Sequence, residues 1–330
     1  MGVRIAGTGS SLPKQTLTNA DLEKMMETSH DWIVQRTGIH SRHRISAELG
    51  ESTHTLSAEA LRRALVAAGM AATDLDLIIL ATMTPEMPCP ATACRVAFDV
   101  GASRAGAFDL NAACSGFVFG LNTAHDLIRC GSYRRIGLIG ADCLSLHMDY
   151  STAGRGTAII FGDGAGAAII AACDDDSRGL LAQSMHCDGE GWKDIYVPMR
   201  ERDFPEGTAC EPAKFGKVQM NGASVFKFAV GTFCDLIQQT LDKAGVAASE
   251  LDMLVCHQSN MRILHSARER FGIPEHKLHI NIDRVGNTVA ASVPLCLDEL
   301  VRGGRIREGN LVMFVAFGGG LTWGSSLWRM

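Results

Sequence analysis

The chain of 330 residues has no Cys-x-x-Cys pair, no His and Cys spacing suited to a metal ion, no basic stripe, no acidic tail and no apolar run of membrane length. Each absence removes a class of function. Without clustered lysines and arginines there is no electrostatic footprint for nucleic acid. With 31 basic against 36 acidic residues and no acidic tail, nothing suggests a disordered partner arm. Without paired cysteine motifs a structural zinc site is not expected. The 11 cysteines are odd in number, and many, such as Cys143, Cys173 and Cys256, sit in or beside apolar runs. They read as reduced core residues of a cytoplasmic protein. Apolar stretches such as Leu77 to Ala81 and Leu311 to Phe317 are strand-sized and predict no membrane span. Arg4 interrupts the start and the first apolar stretch ends at an expected Gly7–Gly9 turn, so no secretory leader is expected. Aromatic residues are scarce at 6%, whereas 35 glycines suit tight strand-to-helix turns and close backbone packing.

What is present is a doubled pattern. Hydrophobic residues make up 46% of the chain, enough for a large core. Residues 68–80 read AGMAATDLDLIIL and residues 244–256 read AGVAASELDMLVC. Each follows an amphipathic helix (Leu56 to Ala67, then Phe226 to Leu241) and gives a Gly stop, a short turn and a hydrophobic strand. A second echo follows each of these. The strand–helix unit around Cys114 ends in IRCG and leads into RIGLIGADC, and HINIDRVGNTVAASVPLCLDELVRGG leads into LVMFVAFGGG. Two matching blocks in the same order predict duplicated halves, 1–173 and 222–330. Residues 174–221, with Pro198, Pro205, Pro212 and many charges, are expected as an irregular connection. Apolar strands alternating with helices predict an α/β fold whose sheets are covered by helices. Ligands in such folds gather beyond the carboxyl ends of strands.

Cys114 lies in AGAFDLNAACSGFVFGLNTAHDLIRCG, between an expected short buried strand, Gly106 to Leu110, and an expected helix, Phe117 to Ile128. A helix N-terminus favours a thiolate, and Ala112, Ala113, Ser115 and Gly116 leave room for a substrate, so a covalent acyl-enzyme could form here. The alternative is a buried cysteine acting as a small hydrophobe. His257 opens CHQSN after the strand DMLVC and reads as a hydrogen-bond donor or proton shuttle, or else as a core histidine. Asn287 in VGNTVAAS reads as a donor to an anionic oxygen, or else as a helix N-cap. FGGGLTWG from Phe317 offers approachable backbone N–H groups, or else a crowded turn. All three polar residues are expected after strand ends, so a pseudo-twofold relation between halves would bring them together. Trp32 and Arg36, with Arg42 and Arg44 nearby, could hold an adenine and phosphates, or form a solvated helix with a packed Trp. Arg262, Arg268 and Arg270 make a basic patch for an acidic partner, or a solvated face. GDGAGA from Gly162 lacks the spacing of a dinucleotide fingerprint and reads as a crowded strand.

Taken together, NAACSGF, CHQSN, VGNTVAAS and FGGGLTWG, in this order, resemble β-ketoacyl-acyl-carrier-protein synthase III. The likeness runs from RIAGTGSSLP through DWIVQRTGI and RGTAIIFGDGAGA to the last strand. It implies a thiolase-like fold, two duplicated halves in a layered αβαβα arrangement. It implies condensation of an acyl-coenzyme A primer, usually acetyl, with malonyl-acyl carrier protein to start fatty acid synthesis. By the resemblance Cys114 takes the acyl group, His257 and Asn287 hold the malonyl thioester oxygen, and the N–H groups of Cys114 and Gly319 form the oxyanion hole. Trp32 and Arg155 would sandwich the adenine with Arg36 near the phosphates, and Lys227, Arg262 and Arg270 would meet the carrier protein. No metal or redox cofactor is implied, and the family is homodimeric with a sheet continuous across the interface. Two departures stand out. Ser259 replaces the usual Ala of the His motif. Cys89 stands where many relatives carry Phe on a loop reaching the partner's acyl pocket, which implies room for longer or branched primers unless Met83, Met87 or Leu144 refill it. A starter-unit condensing enzyme or acyltransferase of secondary metabolism on the same fold, and a catalytically silent heterodimer partner, are the other readings.

Overall fold

The computed structural model describes residues 1–330 and contains two principal sheets. The first has the order Gly2–Ser11, Gly164–Cys173, Arg135–Asp142, Leu77–Ala81, Gly106–Leu110. Leu77–Ala81 runs parallel to both its neighbours, and the other pairs are antiparallel. The second has the order Met253–Cys256, Leu311–Gly318, Thr322–Arg329, Gly179–Cys187.

Side-chain alternation along the strands builds the layers. Ile78 and Leu80 face outward to Leu56, Leu61 and Val96 of the helices Thr53–Ala68 and Thr92–Val100. Leu77 and Ile79 face inward to Phe117 and Leu121 of the helix Gly116–Arg129, and to Val293 and Leu297 of the helix Ser292–Arg302. Met253, Val255, Val312 and Phe314 of the second sheet join that same middle cluster. Leu254, Cys256, Met313 and Val315 face the other way, onto Phe233, Ile237 and Leu264 of the outer helices Gly222–Ala244 and Met261–Arg270. The result is the αβαβα stack, with two helices at its centre.

The echoes in the sequence are echoes in space. The helices Thr53–Ala68 and Gly222–Ala244 both stop at a left-handed glycine, Gly69 and Gly245. In each half a carboxylate then caps the turn: Asp74 accepts from the Ala71 N–H at 3.0 Å, and Glu250 from the Ala247 N–H at 2.7 Å. Asp76 accepts from the Arg135 N–H and Asp252 from the Leu311 N–H, fixing equivalent strand pairs. The second echo is as close, since Ala113 (φ 46°) and Val289 (φ 54°) occupy matching left-handed positions before the two central helices.

Four local expectations change. Gly7 and Gly9 lie inside a strand rather than a turn, and a Cβ on Gly7 would come within 2.5 Å of the Ala64 carbonyl oxygen, so their smallness seats a helix. Gly106–Leu110 is not buried; it is an edge strand of the first sheet, its residues exposed or half-buried. Residues 179–187, inside the expected connection, form a strand of the second sheet, because they pair along Thr322–Arg329. All 11 cysteines are free, and five of them, Cys89, Cys94, Cys130, Cys187 and Cys210, are exposed rather than in the core.

Candidate active site

Cys114 sits in a single tight turn, Ala113–Ser115, that runs directly into the helix Gly116–Arg129 at the carboxyl end of the first sheet. Its predecessor Ala113 is held at positive φ, a conformation costing about 1–3 kcal/mol that surrounding contacts must maintain. Those contacts come from the other half. The segment Gly318–Gly320 closes over the turn, and a Cβ on Gly318 would lie 2.7 Å from the Cys114 nitrogen. The thiol is buried, and burial pushes it well above the ordinary thiol range, with the Asp142 charge adding to the shift. This corrects the expectation of a resting thiolate. Its own N–H opposes the shift.

His257 follows the strand Met253–Cys256, as expected, and its N–H donates to the Val315 carbonyl at 2.8 Å. Burial pulls its imidazole down to about 3, so the ring is neutral at physiological pH. Its Nδ1 is sealed from solvent without a partner, and Phe317 packs edge-on against it at 5.7 Å between ring centroids. Asn287 follows the short helix Ile282–Val285 and Gly286, not a strand end. Its backbone bridges Phe161, accepting from the Gly162 N–H and donating to the Ile160 carbonyl, each at 3.0 Å. Its Oδ1 accepts from the Val289 N–H at 2.9 Å. With the oxygen tied back, Nδ2 is left as the free donor.

These residues share a cavity. Cys114, His257, Asn287, Gly318 and Gly319 line it with Phe228, Phe317 and Leu321. Cys114 and His257 are its only titratable side chains, so the resting site is a neutral thiol beside a neutral imidazole. A second cavity of about 790 Å³ also reaches Cys114, lined by Met83, Met87, Leu144, Ile195, Val197 and Val289 among others.

Both halves that meet at this cavity fall in matched regions of one family. The family described as 3-oxoacyl-[acyl-carrier-protein (ACP)] synthase III matches residues 108–189, which hold Cys114. Its C-terminal counterpart matches residues 241–330, which hold His257 and Asn287. A beta-ketoacyl-[acyl-carrier-protein] synthase III of Caldanaerobacter subterraneus subsp. tengcongensis is 43% identical over 98% of this chain and 96% of its own. The chain belongs to the 3-oxoacyl-[acyl-carrier-protein] synthase III family. The synthase III crystal structure from Aquifex aeolicus superposes with a TM-score of 0.91 at 37% identity, covering all of both chains. A priming beta-ketosynthase of the R1128 polyketide pathway superposes with a TM-score of 0.90 at 32% identity, over 99% of this chain and 96% of the other.

Around this synthase III site the other sequence candidates fall unevenly. Trp32, Arg36 and Arg155 do meet: the Arg36 and Arg155 guanidinium carbons lie 4.5 and 4.7 Å from the indole centroid. Arg42 and Arg44 do not join them. Arg42 is buried, donating to Asn19 Oδ1 and to the Leu17 and Ile159 carbonyls, and Arg44 lies over Tyr150. Lys227, Arg262 and Arg270 are exposed. Arg262 also donates to the Gln35 carbonyl at 2.7 Å, and Arg270 pairs with Asp235 at 3.7 Å. Cys89 is exposed and is not part of the cavity lining in this chain, whereas Met83, Met87 and Leu144 are.

Sequence reasoning missed Asp142. It is fully buried at the end of a central strand, and burial raises its carboxyl to about 6. Its Oδ1 accepts from the N–H groups of Met83 and Thr84 and from the Thr82 and Thr84 hydroxyls, and its Oδ2 from the Ala290 N–H at 3.1 Å. It joins the cavity loop of one half to the Asn287 turn of the other. The only signal was an acidic residue ending an apolar strand in RIGLIGADC.

Proposed function

We propose that this chain performs the decarboxylative condensation of an acyl-coenzyme A primer with malonyl-acyl carrier protein, giving β-ketoacyl-acyl carrier protein, coenzyme A and carbon dioxide. The observation that carries this reading is the convergence of Cys114, neutral His257 and the free Nδ2 of Asn287 on one cavity. Cys114 Sγ attacks the primer thioester. The developing oxyanion is met by the N–H groups of Cys114 and Gly319, each such donor being worth about 3–4 kcal/mol. The thiol proton leaves with the departing coenzyme A sulfur. The malonyl thioester then enters, and its oxygen accepts from the His257 ring and the Asn287 amide as carbon dioxide departs. The resulting enolate carbon attacks the acyl-Cys114 carbonyl, and the Cys114 sulfur is expelled as a thiolate that takes a proton from water to restore the neutral thiol. Decarboxylation supplies the carbanion, so the thioesters alone suffice in this scheme and no metal or redox cofactor takes part. A neutral imidazole suits the role, because it donates without needing a proton from solvent.

In the same reading the adenine enters between Trp32 and Arg155, displacing the guanidinium from the indole, and Arg36 turns to the phosphates. Lys227, Arg262 and Arg270 receive the acidic carrier protein. The protein acts as a homodimer in the cytoplasm; no helix is long and apolar enough to cross a membrane. The free edge Gly106–Leu110 supports the dimer, since an unpaired strand with an exposed Phe108 invites pairing with a second copy. Cys89 of each subunit would face the partner's primer cavity and admit primers beyond acetyl. Radiolabelled acetyl-coenzyme A should label Cys114, and malonyl-acyl carrier protein should then release carbon dioxide. Labelling without that release would leave a plain acyltransferase. Comparison of kcat/KM across acetyl-, butyryl-, isobutyryl- and hexanoyl-coenzyme A tests the primer range; a sharp fall beyond acetyl removes the role given to Cys89.

A further inference from the structure

Gln258 follows His257 directly and is wholly buried. Its carboxamide is fully used. Oε1 accepts from the N–H groups of Asn281 at 3.0 Å and Ile282 at 3.3 Å, and Nε2 donates to the Cys256 and His279 carbonyls at 3.1 Å each. The Gln258 N–H donates to Ser292 Oγ at 2.6 Å. Asn281 is the N-cap of the short helix Ile282–Val285, whose end leads through Gly286 to Asn287. Ser292 opens the central helix beyond it. The segment carrying Asn287 is therefore fastened to the residue after His257 both upstream and downstream. Only a carboxamide offers two donors and an acceptor with two lone pairs in this geometry.

We propose that Gln258 is a positioning residue that sets Asn287 against His257, so that both donors reach one substrate oxygen. The proposal rests on the functional reading above, in which these two hold the malonyl thioester oxygen. Acylation of Cys114 uses the backbone donors of Cys114 and Gly319 and does not need this alignment.

The test compares wild type, Gln258→Leu and Ser292→Ala, with Tm as a check on folding. In Gln258→Leu, condensation kcat falls about 100-fold, as for a donor misplaced by about an ångström. KM for malonyl-acyl carrier protein and the rate of Cys114 acylation by radiolabelled acetyl-coenzyme A stay within about threefold. Ser292→Ala, which removes one anchor, gives the same split at about tenfold and decides the matter if Gln258→Leu does not fold. In the Asn287→Ala background the Gln258 substitution costs almost nothing more. Equal losses in acylation and condensation, additive effects with Asn287→Ala, or unchanged condensation would overturn the proposal. A wild type that releases no carbon dioxide from malonyl-acyl carrier protein would overturn the functional reading instead.

Discussion

Cys114 stands where two tendencies oppose each other. A helix N-terminus lowers a thiol's pKa, and removal from water raises it. Here the second wins, and buried Asp142 adds to it. Iodoacetamide should therefore modify exposed Cys89, Cys94, Cys130, Cys187 and Cys210 before Cys114. The Cys114 rate should keep rising with pH past the ordinary thiol range, as read by peptide mass spectrometry. A plateau near neutrality would mean that the helix end dominates. Gly318 is a second single-residue test. An added Cβ would meet backbone rather than a yielding side chain, so Gly318→Ala should slow Cys114 acylation at least about tenfold. For the donors, His257→Ala and Asn287→Ala should spare acylation and cost condensation about 10²–10³-fold, whereas Cys114→Ala abolishes condensation. Equal losses in both half-reactions would remove the division of labour between the two sets of groups.

At the scale of elements, the helix stops were legible because they are local. Gly69 and Gly245 end helices for a backbone reason visible in the two copies of one short motif. The placement of Gly106–Leu110 was not legible. Its residues suit an inner strand, and only its position at the end of the strand order exposes it. Asn287 was read as following a strand, but a single helical turn precedes it; four residues are too few for helical periodicity to register. The free edge gives the element-scale prediction. Phe108→Asp should convert the proposed dimer to monomers in sedimentation equilibrium, by setting a charge on each side of the edge where two copies would pair. A monomeric wild type would remove the shared sheet from the functional reading.

The whole molecule couples its centre to pH through two buried groups of opposite sense. His257 is neutral when folded down to about 3, against an ordinary value of 6.5. Its contribution to stability is present above 6.5 and is lost as pH falls toward 3, because the unfolded chain takes up a proton that the folded chain refuses. Asp142 is raised from 3.8 to about 6, so its contribution is present below 3.8 and is lost as pH rises through 6. His257→Gln should therefore gain in Tm relative to wild type as pH falls from about 7 to about 4. An unchanged difference would mean that the folded ring is already charged. The sequence by itself determined the duplication, the alternation that covers each sheet with helices, and the types of group available for chemistry. All of these follow from periodicity and local backbone preference. Only the tertiary structure decided the protonation of Cys114 and His257, the orientation of the Asn287 amide and the parts played by Asp142 and Gln258. Those depend on which groups lose water together and which N–H meets which oxygen across the two halves, and distance along a chain carries no record of either.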